Sequence, residues 1–319
     1  MKSRIAAALA WALLCAGNAL AQSYPAAPVK LVVGFPPGGA NDILGRLVGA
    51  KLQEAWGQPV LVENKPGANA IIATEFVAKS VPDGHTLLVG ASGAMTFNPG
   101  LYEKLPYDPV RDFEPVTMLG SFPLVLAVHP SLPVQSVQEL IAHAKAVGGK
   151  LNYAAGSTPF QLAAELFKTQ AGVSIAHIPF KGSAAAVNSV MANDTQLTFV
   201  DAPPAVGQIR GGRLRGLAVT SRTRAASLPE LPTMIEAGMR EFEVVLWASL
   251  FAPAATPRPV IDRIQQQIVR TLQRPDVRER MLGLGITPVG NTPEELAMIL
   301  KADLEKWTRV AKSAGVKAD

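Results

Sequence analysis

The chain has little cysteine, little histidine and few aromatic residues, and each scarcity excludes a class of protein. The 319 residues include one cysteine, Cys15, so a fold stabilised by disulfide bonds within the chain is excluded. The four histidines, at positions 85, 129, 143 and 177, have none of the spacings that zinc sites use. Aromatic residues make up 6% of the chain against 48% hydrophobic residues in all, which is typical of an aliphatic α/β core. We therefore expect no metal and no organic cofactor.

The chain also lacks a strong excess of charge of either sign. Its formal net charge is +5, from 30 basic and 25 acidic residues. Five basic residues cluster at Arg210, Arg213, Arg215, Arg222 and Arg224, and no aromatic residues are interleaved with them. Because single-stranded nucleic acids are held by basic and aromatic side chains together, we interpret the cluster as a solvated edge. The sequence predicts no nucleic-acid partner.

Signatures of catalysis are missing as well. There is no Gly-x-Ser-x-Gly elbow, and Ser92, which a glycine follows, has no assignable base. The carboxylate pairs at Glu241 and Glu243 and at Glu294 and Glu295 do not stand at predicted strand ends. These absences favour a binding protein over an enzyme. An extracytoplasmic enzyme that acts on a carboxylic substrate remains the alternative, and turnover of a bound ligand would reveal it.

The N-terminus has the features of an export signal. After two basic residues, the apolar stretch Ile5–Ala16 is shorter than the roughly 20 residues that span a bilayer. Small residues at Ala19 and Ala21 then precede a cleavage point. Alternatives are a membrane anchor and a lipoprotein, but the large Leu14 before Cys15 disfavours the latter. We expect cleavage after Ala21 and export to the periplasm, with residues 1–21 removed.

Short β-rich runs alternate with helical patterns along the rest of the chain, which predicts parallel sheets built from βαβ units. In the helical pattern Arg258–Gln273, isoleucines and leucines recur at helical spacing, as they do in the last helix, Thr292–Ala314. Two places resemble crossovers between lobes: the apolar strand that a glycine and a proline interrupt at 116–123, and the segment 218–221. We therefore expect one lobe from residues 22–123 and 222–319, and a second lobe from residues 124–221.

A glycine-rich loop joins the first predicted strand to the first predicted helix. It reads Gly34-Phe35-Pro36-Pro37-Gly38-Gly39 and lacks the glycine spacings of a P-loop or a dinucleotide fold. The N-terminus of a helix offers free backbone N–H groups and partial positive charge, which suit a carboxylate or phosphate. The alternative interpretation of this loop is a simple turn. Candidate ligand-binding residues here are Phe35, Pro36, Gly38, Gly39, Asn41 and Asp42.

Other candidates follow later strands, where open α/β sheets place their ligands. They are Ala91 and Ser92 in the first lobe, and Gly156, Ser157, Thr158, Phe160, Lys181 and Asp201 in the second. Ser157 or Thr158 can offer a hydroxyl or cap the next helix. Lys181 can pair with an acidic ligand or be a surface lysine. Asp201 can orient waters, pair with a substrate amine or cap a helix.

The motifs of the mature chain, taken in order, resemble those of one family. They are Val29–Arg46 with its double proline and double glycine, Asn64–Gly67, Pro82–Leu88, Tyr107–Phe113, His177–Gly182, Gly212–Ala218, Leu231–Thr233, Glu236–Gly238 and Trp247–Pro253. The set is similar to the Bug family of periplasmic receptors of tripartite tricarboxylate transporters. That resemblance implies a type II periplasmic binding protein fold, in which two α/β lobes close over a ligand in the cleft between them.

The resemblance also implies the ligand and the partners. In the family, ligands are mostly small carboxylates, some are aromatic acids or amides, and backbone and hydroxyl groups hold one carboxylate, often with bridging waters at the first glycine-rich loop. We expect a small organic anion, a mono- or dicarboxylate that is aliphatic or aromatic. We also expect integral membrane transporter subunits as partners and a monomeric receptor. A receptor that feeds a sensor system is an alternative to transport.

The chain departs from the family pattern in the second lobe. The loop that begins at Tyr153 is about two residues shorter than usual, and Gln161 stands where histidine is common. The motif at 67–70 lacks one glycine of the usual pair. These changes reshape the predicted cleft. Phe160 either faces a larger or aromatic acid or lies in the core of the lobe.

Overall fold

The computed structural model describes the backbone of residues 24–314 and the side chains of residues 24–310. The predicted export signal, residues 1–21, lies outside the described residues. The strands are β1 (Val29–Val33), β2 (Val60–Asn64), β3 (Thr86–Ala91), β4 (Phe113–Val128), β5 (Asn152–Ala155), β6 (Ala176–Pro179), β7 (Leu197–Asp201), β8 (Arg215–Val219), β9 (Val245–Pro253) and β10 (Thr287–Pro288).

Helices connect most of these strands, as the alternating pattern predicts. They are α1 (Ala40–Trp56), α2 (Ile71–Ala78), α3 (Asn98–Leu101), α4 (Val137–Val147), α5 (Thr158–Ala171), α6 (Ser183–Met191), α7 (Ala202–Arg210), α8 (Arg258–Gln273), α9 (Pro275–Gly283) and α10 (Pro293–Ala314). A single 3-10 turn precedes α2, and a π-helical turn over Gly93–Phe97 precedes α3. No helix within residues 24–314 is both long and apolar enough to cross a membrane.

The strands form two lobes that share the long strand β4. In the first lobe, β1 pairs in parallel with β2 and β3, while β9 runs antiparallel between β3 and the first part of β4. In the second lobe, β5 pairs in parallel with β6 and β7, and the last part of β4 runs antiparallel to β7 and β8. Parallel pairs place several strand ends at one edge of each lobe, and these edges face one another.

The chain crosses between the lobes inside β4 and returns at the start of β9. Pro123 is the last β4 residue that pairs with β9, and Leu124 is the first that pairs with β7. The Thr220 hydroxyl links the two crossings by hydrogen bonds. It accepts the Leu124 N–H at 2.8 Å and donates to the Val244 carbonyl at 2.6 Å.

The second crossing differs from the sequence-based boundary. We expected the first lobe to resume at residue 222, but the segment 222–244 packs on the second lobe. Leu228 and Leu231 belong to a buried cluster with Val125 and Val206, and Phe242 stacks on a phenylalanine of β7 with ring centroids 5.7 Å apart. A proline-rich connection resembles a linker in sequence, but its leucines supply core contacts to the nearer lobe. The chain therefore returns at Val244.

The hydrophobic stripes of the late helices lie in the core, as their spacing predicts. In α8, Ile261, Ile264, Ile268 and Leu272 are all buried. In α10, Leu296 and Leu300 are buried, and Trp307 stacks on Phe97 with ring centroids 4.0 Å apart. Full burial of such a side chain contributes about 1.5–3 kcal/mol, so these faces hold both helices on the first lobe.

Candidate ligand-binding site

A cavity lies between the two lobes, and its empty space of about 430 Å³ includes open solvent at its mouth. The first lobe lines it with Phe35, Gly39, Ala40, Asn41, Ala91, Ser92, Gly93, Phe122, Leu246 and Trp247. The second lobe lines it with Gly156, Ser157, Pro159, Phe160, Ser183 and Asp201. Residues far apart in the chain meet here because the strand ends of both lobes face the same space.

The N-termini of four helices converge on this cavity. Helix α1 begins after Gly39, α5 after Ser157, α6 at Ser183 and α7 after Asp201, and each of these residues lines the cavity. Free N–H groups and the helix dipole give each end a partial positive charge. No lysine or arginine is among the lining residues, so the positive potential at these helix ends comes from peptide dipoles.

Three polar side chains offer hydrogen bonds to a bound group. Ser157 is the N-cap residue of α5 and forms no capping bond with its side chain, so its hydroxyl is available. The Ser92 hydroxyl accepts the backbone N–H of Trp247 at 3.3 Å and keeps its own hydrogen to donate. The side-chain oxygen of Asn41 is buried without a hydrogen-bond partner among the described residues. The two hydroxyls can donate to a carboxylate, whereas the Asn41 oxygen can only accept a hydrogen bond from a bound group.

The lobes touch directly on one side of the cavity. The Ala40 N–H, at the start of α1, donates to Asp201 Oδ2 across the gap at 2.7 Å. Gly39 lies so close to the second lobe that a Cβ on it would be 3.1 Å from Ser183 Oγ. The two lobes are therefore in a closed arrangement.

Asp201 is the one ionisable residue in the cavity lining, and it is 3% exposed. Burial raises the pKa of its carboxyl above the usual range, while hydrogen bonds from the Ser183 hydroxyl and the Ala40 N–H oppose that rise. Both bonds stabilise the ionised form. Its second oxygen, Oδ1, has no hydrogen-bond partner among the described residues.

The remaining wall of the cavity is apolar. Phe122 comes from β4, Leu246 and Trp247 come from β9, and Phe160 lies in the first turn of α5. Trp247 is held in place because its indole N–H donates to Asp303 Oδ2 of α10 at 2.7 Å. An apolar wall opposite a few polar groups is the usual form of a small-molecule site.

The structure brings nine of the fourteen predicted site residues to this cavity. They are Phe35, Gly39, Asn41, Ala91, Ser92, Gly156, Ser157, Phe160 and Asp201. Pro36 and the exposed Lys181 instead line a neighbouring cleft of about 650 Å³. Thr158 is buried in the first turn of α5, where successive side chains point about 100° apart, so it does not follow Ser157 into the cavity.

Gly38 and Asp42 also lie outside the cavity lining, because they stabilise the first loop from within. The Gly38 N–H donates to Asp42 Oδ2 at 3.0 Å, so it is not available to a ligand. Asp42 also accepts hydrogen bonds from Arg46 and from the Asn64 amide. Burial acts to raise the pKa of Asp42, but these hydrogen bonds outweigh it and hold the pKa below its usual range.

We predict that Asp42→Asn destabilises the fold at neutral pH by about 1–3 kcal/mol, because it removes charged hydrogen bonds. A carboxyl with a lowered pKa stabilises the fold above its unfolded pKa of about 3.9 and loses that contribution as the pH falls further. Urea unfolding at neutral pH and at about pH 3 should show the deficit shrinking in acid. Asp262→Asn removes an exposed pair with Arg258 and should cost less than about 1 kcal/mol. A deficit that is equal at both pH values would contradict this role.

Sequence reasoning missed seven lining residues. They are Ala40, Gly93, Phe122, Pro159, Ser183, Leu246 and Trp247. The position of Ser183, directly after Gly182 at a predicted helix start, was the available signal for a second-lobe residue. The apolar lining residues give no indication of a site in the sequence, because strand residues of this type usually lie in a core. Within residues 24–314, no cluster of three or more histidine, cysteine or acidic residues could hold a metal ion.

Comparison with known proteins identifies relatives over nearly the whole chain. Residues 44–316 match the family model of the tripartite tricarboxylate transporter family receptor. The protein BugT of Bordetella pertussis strain Tohama I is 36% identical over 300 residues, which cover 93% of this chain and 92% of BugT.

Solved structures share the fold. Rpa4515 of R. palustris, solved with adipate, is 34% identical, has a TM-score of 0.89, and the match covers 92% of this chain and 99% of that one. MatC (Rpa3494) of Rhodopseudomonas palustris, solved with malate, is 30% identical, has a TM-score of 0.85, and the match covers 90% of this chain and all of that one. The predicted two-lobed periplasmic binding protein fold is thus confirmed. The chain belongs to the tripartite tricarboxylate transporter receptor family.

Proposed function

We propose that this protein is a periplasmic receptor that captures a small organic carboxylate and delivers it to the membrane subunits of a tripartite transporter. The observation that carries the proposal is the convergence of four helix N-termini on one cavity between the lobes. A ligand carboxylate would be held by the α5 N-terminus, Ser157 and Ser92. Two relatives were solved with small dicarboxylates, adipate in one and malate in the other, and these acids support the same ligand class here.

The proposal also includes the export of the protein and the closure of its lobes over the ligand. The chain would be exported through the signal at its N-terminus, cleaved after Ala21, and would act as a monomer that closes over its ligand by a hinge movement. The crossings at Leu124 and Val244 are the natural hinge, since the Thr220 hydroxyl ties them together. Closure buries the ligand and forms the surface that the membrane subunits would recognise.

The ligand class is tested by calorimetric titration of protein that has been unfolded and refolded to strip bound solute. The panel holds mono-, di- and tricarboxylates, aromatic acids and neutral amides. We expect saturable binding of one acid class, release of the acid unchanged, and no binding of the matched amides. Aromatic acids belong in the panel because Phe160 and Trp247 line the apolar wall. Failure of every acid to bind would refute the proposal.

Two serines that begin helices of the second lobe separate binding from stability. Ser157→Ala should weaken binding of the acid about tenfold, roughly 1.4 kcal/mol, and leave the melting temperature of ligand-free protein unchanged, because Ser157 makes no capping bond. Ser136→Ala is the matched control. Ser136 caps α4 by accepting the Glu139 N–H, so its loss should cost about 1 kcal/mol of stability and no affinity. Unchanged affinity in Ser157→Ala would remove the α5 N-terminus from the site.

A further inference from the structure

One oxygen of Asp201 is left without a partner inside the cavity. Oδ2 accepts the Ala40 N–H at 2.7 Å, and the Ser183 hydroxyl lies beside the same carboxylate. Oδ1 has no partner among the described residues, although the side chain lines the cavity and is 3% exposed. A buried carboxyl oxygen without a hydrogen bond is costly, so a bound ligand is the natural source of the missing donor.

The surroundings of Asp201 exclude a plain anion at this end of the cavity. The donors near its carboxylate are the Ala40 N–H of α1, the Ser183 hydroxyl of α6 and the backbone N–H of Asp201 itself, and no other ionisable side chain lines the cavity. Two carboxylates that share a water-poor site cannot both remain ionised. A ligand that presents only carboxylate oxygens to Oδ1 would therefore be repelled unless one of the two carboxyls took up a proton.

We propose that the ligand carries an O–H or N–H donor in addition to its carboxylate and gives that hydrogen bond to Asp201 Oδ1. The preferred ligands are then hydroxy- or amino-substituted acids rather than the unsubstituted acids of the same length. This inference rests on the proposed function, because it assumes that the helix N-termini hold a carboxylate. It assigns Asp201 the role of selecting among acids.

Two sets of acids of matched length test the inference by calorimetric titration at neutral pH. The four-carbon set is succinate, malate and aspartate. The six-carbon set is adipate, 2-hydroxyadipate and 2-aminoadipate. In the set whose length fits, we expect a substituted acid to bind at least about tenfold more tightly than the unsubstituted one, because a hydrogen bond to a buried charge is among the stronger ones. Comparison of the hydroxy and amino acids identifies which donor is used.

Asp201→Asn should reverse this preference. The Ala40 N–H requires an oxygen at the position of Oδ2, so the amide nitrogen takes the place of Oδ1 and turns an acceptor into a donor. The unsubstituted acid should then bind at least as tightly as the substituted one. Asp112→Asn is the matched control, since that carboxylate accepts the Asp108 N–H away from the cavity, and it should leave the preference unchanged.

The outcomes separate the inference from the function on which it rests. If succinate and adipate bind within about twofold of their substituted homologues, a water serves Oδ1, and the inference is overturned while the receptor function stands. An equal loss of affinity for all acids in Asp201→Asn would also overturn it. If no acid binds, both the inference and the proposed receptor function are refuted. Should Asp201→Asn fail to fold, the preference of the unmodified protein decides alone.

Discussion

Replacement of Gly39 by leucine should weaken ligand binding at least about a hundredfold while each lobe still folds. Gly39 has φ −87° and ψ 171°, a conformation that any residue adopts, so a side chain does not strain the first loop itself. In the closed arrangement, however, its Cβ would lie 3.1 Å from Ser183 Oγ and 3.9 Å from Asp201 Oδ2. A leucine needs much more room than this, so it would hold the lobes apart.

The measurement is a calorimetric titration with the best acid, together with the melting temperature of ligand-free protein. We expect the melting temperature to stay within about 2 °C of the unmodified value, because the substitution removes no core contact. Gly283→Leu is the matched control, since a Cβ at Gly283 meets no atom within 4 Å. It should leave affinity unchanged. Tight binding by Gly39→Leu would mean that the ligand is held without this closure.

The sequence predicted the order of elements well because local signals agree with the fold. The pattern that predicts a helix over Arg258–Gln273 gives the bounds that α8 has in the structure. The π-helical turn over Gly93–Phe97 had no comparable signal. Ser92 at its N-cap forms no capping bond with its side chain, and the position of the turn depends on contacts such as the stacking of Phe97 on Trp307 of α10. Only tertiary packing supplies that information.

Some lining residues of the site can be predicted from loop chemistry, whereas others reach the cavity only because of the topology. Glycines and hydroxyl residues at predicted helix starts led to Gly39, Asn41, Gly156 and Ser157, since an anion site needs free backbone N–H groups. Phe122 gave no such indication, because it lies in an apolar strand. It reaches the cavity only because β4 crosses between the lobes at Leu124.

The role of Asp42 shows a limit of reasoning from position. A carboxylate in the first turn of a helix, beside a glycine-rich loop, resembles a ligand-binding residue in sequence. In the structure its carboxylate accepts hydrogen bonds from Gly38, Arg46 and Asn64, which take up its oxygens. Asn64 comes from the end of β2, and nothing in the sequence shows that this amide turns toward α1. The partners of a polar residue, rather than its place in a motif, decide whether it can bind a ligand.

Gly156→Ala should remove both stability and binding, because Gly156 contacts backbone rather than a movable side chain. A Cβ there would lie 2.2 Å from the carbonyl oxygen of Gly182 and 2.4 Å from its carbonyl carbon. The Gly182 N–H also donates to the Gly156 carbonyl at 3.0 Å, so the two loops are held together from both sides. To admit a methyl group, the loop at Gly182 must move by about an ångström and lose that bond.

The displaced loop carries the start of α6. Gly182 is the N-cap residue of α6, and the next residue, Ser183, lines the cavity together with Asp201. We expect a loss of about 2–3 kcal/mol in the free energy of unfolding of ligand-free protein, measured in urea, and no detectable binding of the acid. Gly207→Ala makes the same change in α7 of the same lobe, where a Cβ meets no atom within 4 Å. Because alanine favours a helix, that control should gain about 0.5–1 kcal/mol and bind normally. A Gly156→Ala protein as stable as the unmodified chain would show that the loops at Gly156 and Gly182 separate freely. The second-lobe half of the site would then lack the rigid frame on which the proposed carboxylate contact depends.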